Sequence, residues 1–325
     1  MSRNLVSLSL SATLLGSTAF ADTPRVVADI APVHSLVSRV MEGVGSPDLI
    51  VPSGATPHEY NLRPSEAAAL QEADIVFWIG SRLTPWLEDA ISTLVSDAEV
   101  SSLMEVDGVA ALPFRESALF EAHDHSEDEY GHDDHSEEHN DDGHDDHGHE
   151  DHALEAYDPH SWLSPDNAAE WMNEIAAKLS AADPENAGAY YANASAAREE
   201  LDTLQTEIND ILDPVRSRNF VVFHDAYQYF ETAFDFPASG AISVSDATDP
   251  SPGRIAEIQN RVKDQGINCV LSEPQFDPKI VAAVMDGSEV KTGVLDPLGS
   301  DLETGPALYG DVLRNLARAL ANCLE

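Results

Sequence analysis

Short apolar runs that alternate with helical patterns are the feature that most restricts how this chain can fold. The runs occupy residues 26–30, 49–51 and 74–80 in the first half and residues 219–223, 269–272 and 291–295 in the second. Strands that alternate with helices form parallel sheets, because each connection must cross back over the sheet. The pattern predicts an α/β fold with two lobes, each built on a mostly parallel sheet. About 300 mature residues can bury two cores, one for each lobe.

A long helix is predicted between the two sets of runs, over residues 183–214. Asp183 is a favourable N-cap residue, and Pro184 suits the first helical position. Seven apolar residues then follow a helical spacing that places them on one face: Tyr190, Ala194, Ala197, Leu201, Leu204, Ile208 and Ile211. We interpret this helix as a rigid connector between a first lobe (22–182) and a second lobe (215–325). An ordinary amphipathic helix within one domain is the alternative.

The amino terminus has the pattern of a secretory signal peptide over residues 1–21. An apolar stretch is followed by an A-x-A cleavage site at residues 19–21. The stretch is shorter than the roughly 20 residues of a membrane-spanning helix. Lipid anchoring would need a cysteine at the cleavage site, and the only cysteines are Cys269 and Cys323. We therefore expect a soluble periplasmic protein with no membrane span.

The cysteines and the net charge set further limits. In an exported chain Cys269 and Cys323 most simply form a disulfide, with two buried thiols as the alternative. Neither cysteine has a C-x-x-C partner, so a thiolate zinc site is not expected. The formal net charge of −42 excludes ordinary nucleic-acid binding, which needs a basic surface.

Nine of the thirteen histidines lie in one acidic tract: His123, His125, His132, His135, His139, His144, His147, His149 and His152. The tract has no apolar periodicity, and its dense like charge opposes a packed structure. We predict a disordered His/Asp/Glu-rich loop over about residues 117–156, within the first lobe. Imidazoles and carboxylates offer many weak, exchangeable metal ligands, so this loop is predicted to be an accessory metal-binding element. A dispensable solvated insert is the alternative.

Outside the tract, three histidines lie where an α/β fold places ligand sites. His58 and His160 lie in loops, His224 ends a predicted strand, and Asp296 directly follows another. Residues at the carboxyl ends of parallel strands face the crevice in which such proteins bind ligands. Three imidazoles and a carboxylate suit Zn²⁺, whereas Ca²⁺ and Mg²⁺ prefer oxygen ligands. The spacing alone is a weak signal, and the remaining histidine, His34, is predicted to be structural.

Four segments together carry a resemblance to a known family. They are GATPHEYNLRPS at residues 54–65, HSWLSP at 160–165, VFHDAYQYF at 222–230 and LDPLG at 295–299. In this order they resemble the cluster A-I solute-binding proteins, and the likeness covers essentially the whole mature chain. Manganese-type relatives have Glu where this chain has His224, so the chain resembles the zinc-binding members.

The resemblance implies a fold and a metal site. It implies two α/β lobes joined by one long rigid helix, metal in the cleft between them, a His-rich loop in the first lobe and a disulfide in the second. It implies three zinc ligands: His58, His160 and His224. The fourth ligand stays open between Asp296, water and Glu59. Asp225, which follows His224 in the chain, is a further candidate for a hydrogen-bond partner that fixes the tautomer of that ring.

The function implied by the resemblance is high-affinity capture of Zn²⁺ in the periplasm and its delivery to the membrane permease of an ABC-type zinc importer. Such a protein carries zinc as cargo and is not an enzyme. Its expected partners are the zinc ion, the permease and, as a further candidate, a periplasmic zinc chaperone; the protein itself is expected to be a monomer. One alternative is an exported zinc-dependent hydrolase, because three histidines plus water is also a catalytic arrangement. The other is a metal-dependent adhesin or interaction protein.

Overall fold

The first lobe is built on a four-stranded parallel sheet. The computed structural model describes residues 23–115, 157–243, 250–285 and 287–325. The strands pair in the order β2-β1-β3-β4: β1 Val26–Ala28, β2 Asp48–Leu49, β3 Ile75–Trp78 and β4 Glu99–Ser102. The helices of this lobe are α1 Ala31–Val40, α2 Pro64–Glu72, α3 Pro85–Leu94 and α4 Pro165–Ala182. The last three begin with proline, which suits the first helical position because no N–H is needed there.

The second lobe repeats this strand order as β6-β5-β7-β8, again with parallel pairs: β5 Asn219–His224, β6 Ala241–Ser243, β7 Ile267–Ser272 and β8 Lys291–Val294. Its helices are α6 Gln228–Phe234, α7 Pro252–Asp264, α8 Pro278–Val284 and α9 Leu308–Leu324. The predicted α/β class with two parallel sheets is confirmed. The predicted strands do not include β4 or β6, because β4 reads Glu-Val-Ser-Ser and β6 has only three residues.

The connecting helix α5, Ala187–Leu212, begins later than predicted and continues into a 3-10 turn, Asp213–Val215. Asp183 is not its N-cap, because this residue ends α4. The Asp183 carboxylate instead accepts hydrogen bonds from Asn186 Nδ2 at 2.7 Å and Tyr190 Oη at 2.9 Å. The side chain therefore stabilises the first turn of α5 from the preceding turn of the chain. A helix of 26 residues is about 39 Å long at about 1.5 Å per residue.

The predicted apolar face of α5 is buried over most of its length. Six of the seven predicted positions are buried: Tyr190, Ala194, Ala197, Leu201, Leu204 and Ile208. Ile211 is only partly buried, and Leu212 is buried at this end of the helix. The buried face packs against α4, α1 and α9, so α5 contacts helices of both lobes.

The hydrophobic core does not divide along the lobe boundary. One continuous cluster includes strands of both sheets together with α1, α4, α5 and α9. Tyr309 of α9 reaches the first lobe, where its N–H donates to Ser35 Oγ at 2.9 Å and its hydroxyl donates to the backbone oxygen of Trp162 at 2.9 Å. A smaller cluster, which includes Val221 and Ile258, lies within the second lobe. The described residues thus form two core clusters, and the larger one is shared by both lobes, which opposes a wide hinge movement.

The predicted disulfide is confirmed between Cys269 of β7 and Cys323 of α9, whose Cα atoms are 5.8 Å apart. Gly293 of β8 lies beside it. A Cβ atom at this position would be 3.0 Å from Leu271 Cδ2 and 3.4 Å from Cys323 Sγ. Because glycine has no side chain, α9 can approach the sheet closely enough for the disulfide to form.

Two predicted segments, the signal peptide (1–21) and the His-rich loop (117–156), lie outside the described residues. Within the described ranges, no helix is both long and apolar enough to cross a membrane. The residues on either side of the His-rich loop are joined, because Pro113 and Tyr157 form an antiparallel bridge. Both flanks of the loop therefore start from the same point of the first lobe.

Candidate metal centre

The three predicted histidines meet between the two lobes. His58 lies in the loop after β2, His160 precedes a 3-10 turn, Ser161–Leu163, and His224 is the last residue of β5. The Nε2 atom of His160 lies 3.4 Å from Nε2 of His58 and 3.4 Å from Nε2 of His224. Among the described residues, these three form the group of potential metal ligands, with their ligand atoms within 4.8 Å of one another.

The spacing of these nitrogen atoms fits a tetrahedral zinc site. Zn–N bonds are about 2.0–2.1 Å long, so two nitrogen ligands at tetrahedral corners lie about 3.3–3.4 Å apart. The two separations of 3.4 Å therefore need little adjustment to accept the ion. Neutral imidazole nitrogens suit Zn²⁺ and similar transition metals, whereas hard ions such as Mg²⁺ require oxygen ligands.

Two buried carboxylates orient two of the imidazoles. Asp158 Oδ1 lies 2.7 Å from His160 Nδ1, and Glu273 Oε1 lies 2.7 Å from His224 Nδ1. Each carboxylate oxygen also accepts the backbone N–H of the same histidine, at 3.0 Å for His160 and 3.3 Å for His224. A carboxylate at Nδ1 keeps the proton on that atom, so Nε2 is the nitrogen that can donate a lone pair to a metal ion.

Glu273 therefore has the role that was predicted for Asp225. The Asp225 carboxylate pairs with Arg115 at 2.9 Å, and Arg115 also pairs with Glu231 at 2.7 Å. Asp225 is engaged by Arg115, and Glu273 occupies the position beside Nδ1 of His224. Arg115 belongs to the first lobe and its two partners to the second, so this ion-pair network joins the lobes.

Burial raises the pKa of carboxyl groups beside the histidines. Desolvation raises the pKa of Asp158 to about 7, and the backbone N–H of His160 and the Arg115 guanidinium oppose this shift. Desolvation also raises the pKa of Asp225 to about 7; Arg115 opposes that shift, and the like charges of Asp158 and Glu231 add to it. A divalent cation on the histidines would, like Arg115, favour the ionised form of these carboxyl groups.

His58 is half-buried, whereas His160 and His224 are each 5% exposed. Its loop is anchored to α3, because Trp86 Nε1 donates a hydrogen bond to the backbone oxygen of Pro57 at 2.7 Å. This loop thus brings His58 to the cluster from its solvent side. Of the three imidazoles, His58 is the one most accessible to an incoming or departing ion.

The structure does not bring Asp296 or Glu59 into the histidine cluster. The Asp296 carboxylate accepts hydrogen bonds from the backbone N–H groups of Leu298, Gly299 and Ser300. It thereby stabilises the turn after β8, in which Gly299 has a φ of 73° that favours glycine. Glu59 is exposed and does not line the cavity beside the histidines.

A cavity of about 20 Å³ lies against the three imidazoles. Its remaining wall comprises Thr56, Pro57, Trp162, Glu273, Gln275, Phe276, Pro297 and Leu298. Phe276 stacks on Phe223 with the ring centroids 4.2 Å apart, which holds this part of the wall in place. The cavity exceeds the roughly 10–15 Å³ that one water molecule needs, and it is far below the roughly 300–1,000 Å³ of small-molecule pockets.

Sequence reasoning missed the two carboxylates that orient the histidines. A signal for Glu273 was available, because it directly follows the predicted strand 269–272, just as Asp296 follows its own strand. Asp158 lies two residues before His160, a spacing that no general motif distinguishes.

The histidines outside this cluster fall into two groups. His34 Nε2 lies 3.1 Å from the backbone oxygen of Pro47, and burial lowers the pKa of its imidazole, which agrees with the predicted structural role. The nine histidines of the acidic tract, His123 to His152, lie outside the described residues.

The fold and the site define a class of protein: two α/β lobes joined by a long helix, with three histidines between them that could hold a metal ion. Residues 26–323 match the model of the ZnuA family, described as the periplasmic zinc-uptake complex component A. The chain therefore belongs to the ZnuA family. A relative from Brucella suis biovar 1, the high-affinity zinc uptake system protein ZnuA, is 45% identical to this chain over 99% of both proteins.

Solved structures share the fold. The crystal structure of ZnuA superimposes with a TM-score of 0.72 at 24% identity and covers 94% of this chain and 100% of its own. A ZnuA deletion mutant with zinc bound superimposes with a TM-score of 0.71 at 24% identity and covers 94% of this chain and 99% of its own. These comparisons confirm the predicted arrangement of two α/β lobes.

Proposed function

We propose that this protein captures Zn²⁺ in the periplasm with high affinity and passes it to the membrane permease of an ABC-type zinc importer. The observation that carries the proposal is that Nε2 of His160 lies 3.4 Å from Nε2 of His58 and 3.4 Å from Nε2 of His224, with the ligand atoms of all three within 4.8 Å of one another. Membership of the ZnuA family supports zinc as the cargo. Export through a cleaved signal peptide, a monomeric state and a periplasmic zinc chaperone as donor are retained as predictions.

Capture needs no covalent chemistry, because neutral imidazoles donate lone pairs to the ion. The histidines alone would leave a buried double positive charge uncompensated. The carboxylates of Asp158 and Glu273, each 2.7 Å from an Nδ1 atom, supply two negative charges that are one hydrogen bond away from the imidazoles. Pairing buried charges in this way reduces the free energy that their desolvation costs. The formal net charge of −42 also attracts cations to the surface.

Release is expected to need small movements. The core is continuous through α5 and both lobes, which opposes wide opening of the cleft. His58 lies in a loop and is more exposed than His160 and His224. We therefore expect the His58 loop to move first when the permease receives the ion.

We infer that the protein is not an enzyme. A zinc hydrolase needs an open coordination position and a pocket for its substrate. The cavity of about 20 Å³ beside the histidines holds a water molecule and has no space for a peptide or ester group. This volume favours binding over hydrolysis.

The nine histidines of the acidic tract are proposed to gather zinc as an accessory element and to pass it to the three-histidine site. Support comes from the described flanks of the tract. Tyr157, which pairs with Pro113, lies three residues before His160. Zinc bound near either flank would therefore be released close to the tight site.

Zinc titration with mass-spectrometric stoichiometry tests these proposals on three proteins. The intact protein should bind one tight ion and several weak ones, and deletion of residues 117–153 should remove weak sites only. A variant with His58, His160 and His224 changed to Ala should lose the tight site and keep the weak ones. A tight site that survives the triple change would overturn the central proposal, and loss of the tight site in the deletion would overturn the accessory role of the tract.

A further inference from the structure

The three histidines supply three ligands, and a tetrahedral zinc ion takes a fourth. The two protein carboxylates considered for this position are poorly suited to it. Asp296 holds its own turn through three backbone N–H groups, and Glu59 is exposed away from the cavity. The cavity of about 20 Å³ beside the histidines has room for one water molecule.

A water bound to zinc is a strong hydrogen-bond donor, so a buried one needs an acceptor. Gln275 lines the same cavity, and its Oε1 atom is buried without a hydrogen-bond partner among the described residues. An unpaired buried acceptor is unfavourable, because it has lost its hydrogen bonds to water without gaining a partner in the protein. Gln228 also carries a buried oxygen atom that lacks a partner within the described ranges, but this residue does not line the cavity.

The hydrogen bonds on the other side of Gln275 determine which way its amide faces. Gln275 Nε2 lies 3.1 Å from Ser300 Oγ, and Ser300 Oγ lies 3.3 Å from Asp296 Oδ1. An ionised carboxylate can only accept hydrogen bonds, so the hydroxyl proton of Ser300 points to Asp296. The Ser300 oxygen must then accept from Gln275, which requires the amide nitrogen on that side and leaves Oε1 on the other.

We propose that Gln275 is a positioning residue whose Oε1 accepts a hydrogen bond from the water that completes the coordination of Zn²⁺ on the three histidines. This inference rests on the proposed function, because it concerns the same zinc site. Asp296 contributes indirectly: it orients Ser300, Ser300 orients the amide of Gln275, and the amide holds the water. The turn after β8 thus supports the site without supplying a ligand.

The test uses Gln275→Leu, which keeps a similar volume and removes the acceptor. The matched control is Gln228→Leu, because Gln228 also has a buried Oε1 without a described partner and lies outside the cavity. Loss of a hydrogen bond to a charged group should weaken zinc binding roughly 10- to 100-fold in Gln275→Leu, measured by chelator competition. Ser300→Ala, which leaves the amide free to rotate, should weaken binding in the same direction and by less.

The second readout is electron–nuclear double resonance (ENDOR) spectroscopy of the Co²⁺-loaded proteins in H₂O and D₂O. The wild type should show imidazole nitrogens and an exchangeable water proton, and Gln275→Leu should keep the nitrogen signals and change the coupling of that proton. Equal affinity losses in Gln275→Leu and Gln228→Leu with unchanged proton coupling would overturn the inference. Wild-type spectra with three imidazole nitrogens and no water proton would overturn the inference about Gln275 and leave the proposed function standing. Absence of imidazole signals would overturn the proposed function itself.

Discussion

The two sheets have the same strand order, yet their central strands end in different chemistry. In the first lobe β1 lies between β2 and β3, and in the second β5 lies between β6 and β7. Asp29 follows β1, and its carboxylate accepts the N–H groups of Ile30 and Ile79, both at 2.8 Å. His224 ends β5, and its backbone N–H and its ring both contact Glu273.

Both arrangements connect the end of the central strand to the segment after the neighbouring strand. In the first lobe the acidic group is Asp29, directly after the central strand, and its partners are backbone N–H groups. This connection is purely structural. In the second lobe the acidic group, Glu273, follows the neighbouring strand β7, and the imidazole of His224 presents Nε2 to the histidine cluster. Equivalent positions in two sheets of the same topology therefore serve structure or binding according to the side chains they carry.

The largest expected effect concerns the disulfide, which ties the second sheet to α9 and has no counterpart in the first sheet because the chain has only two cysteines. Changing Cys269 and Cys323 to Ala should lower the free energy of unfolding by about 4 kcal/mol, because the bridge closes a loop of 54 residues. Urea unfolding of the metal-free protein measures this. A loss well below this value would mean that the shared core, and not the bridge, holds α9 in place.

The next effect separates the two strand ends. His224→Ala should weaken zinc binding about 100- to 1,000-fold, since the roughly 10–16 kcal/mol of a four-ligand zinc site corresponds to about 2.5–4 kcal/mol for each ligand. Asp29→Ala should leave zinc affinity unchanged and lower the free energy of unfolding by about 1–3 kcal/mol, because two buried N–H groups lose their acceptor. Chelator competition and urea unfolding on both variants measure the difference. Equal effects on zinc affinity would contradict the separation of roles.

A smaller effect is expected from Glu273→Gln, which removes the negative charge beside His224 and nearly preserves the shape. Loss of a carboxylate that orients a metal-binding histidine should weaken zinc binding by about 10-fold, the lower end of the usual range. Glu231→Gln is the matched control, because Glu231 is a buried glutamate of the same lobe that pairs with Arg115 and not with a histidine. Isothermal titration with zinc and a competing chelator should show a clearly larger loss for Glu273→Gln.

The smallest effect is a pH slope caused by Asp29. Burial raises the pKa of its carboxyl from 3.8 to about 7, so between these values the folded protein binds a proton that the unfolded chain has released. This contribution is fully present below the unfolded pKa and is lost as pH rises through the folded pKa. Wild-type stability should fall relative to Asp29→Asn by roughly 1 kcal/mol between about pH 5.5 and about pH 6.5. Parallel curves for the two metal-free proteins in urea would show that Asp29 is ionised throughout.

Much of the fold followed from local patterns, and the misses have local causes. The strands with long apolar runs, β1, β3, β5 and β7, were predicted, whereas β4 and β6 are too polar or too short to stand out. The start of α5 was misplaced because Asp183 and Pro184 suit the end of one helix and the turn before the next equally well. Burial of Leu212 in addition to Ile208 depends on what packs at the end of α5, which the helical spacing does not specify.

The site was predicted unevenly for a similar reason. The motifs around His58, His160 and His224 marked the residues, and the structure brings their Nε2 atoms together. The role of Asp225 was inferred from adjacency in the chain, but adjacency does not determine direction. Glu273 reaches His224 from 49 residues away through the pairing of β5 with β7.

The sequence by itself determined the class of fold and the choice of three imidazoles as candidate ligands, and it made a disulfide the simplest state of the two cysteines, because periodicity, residue chemistry and count are properties of the chain. Only the tertiary structure decided which carboxylates orient the imidazoles, why Asp296 serves a turn, and that one core runs through both lobes. These outcomes depend on distances between residues far apart in the chain. Parallel strand pairing and the packing of α9 set those distances, and no local pattern encodes them.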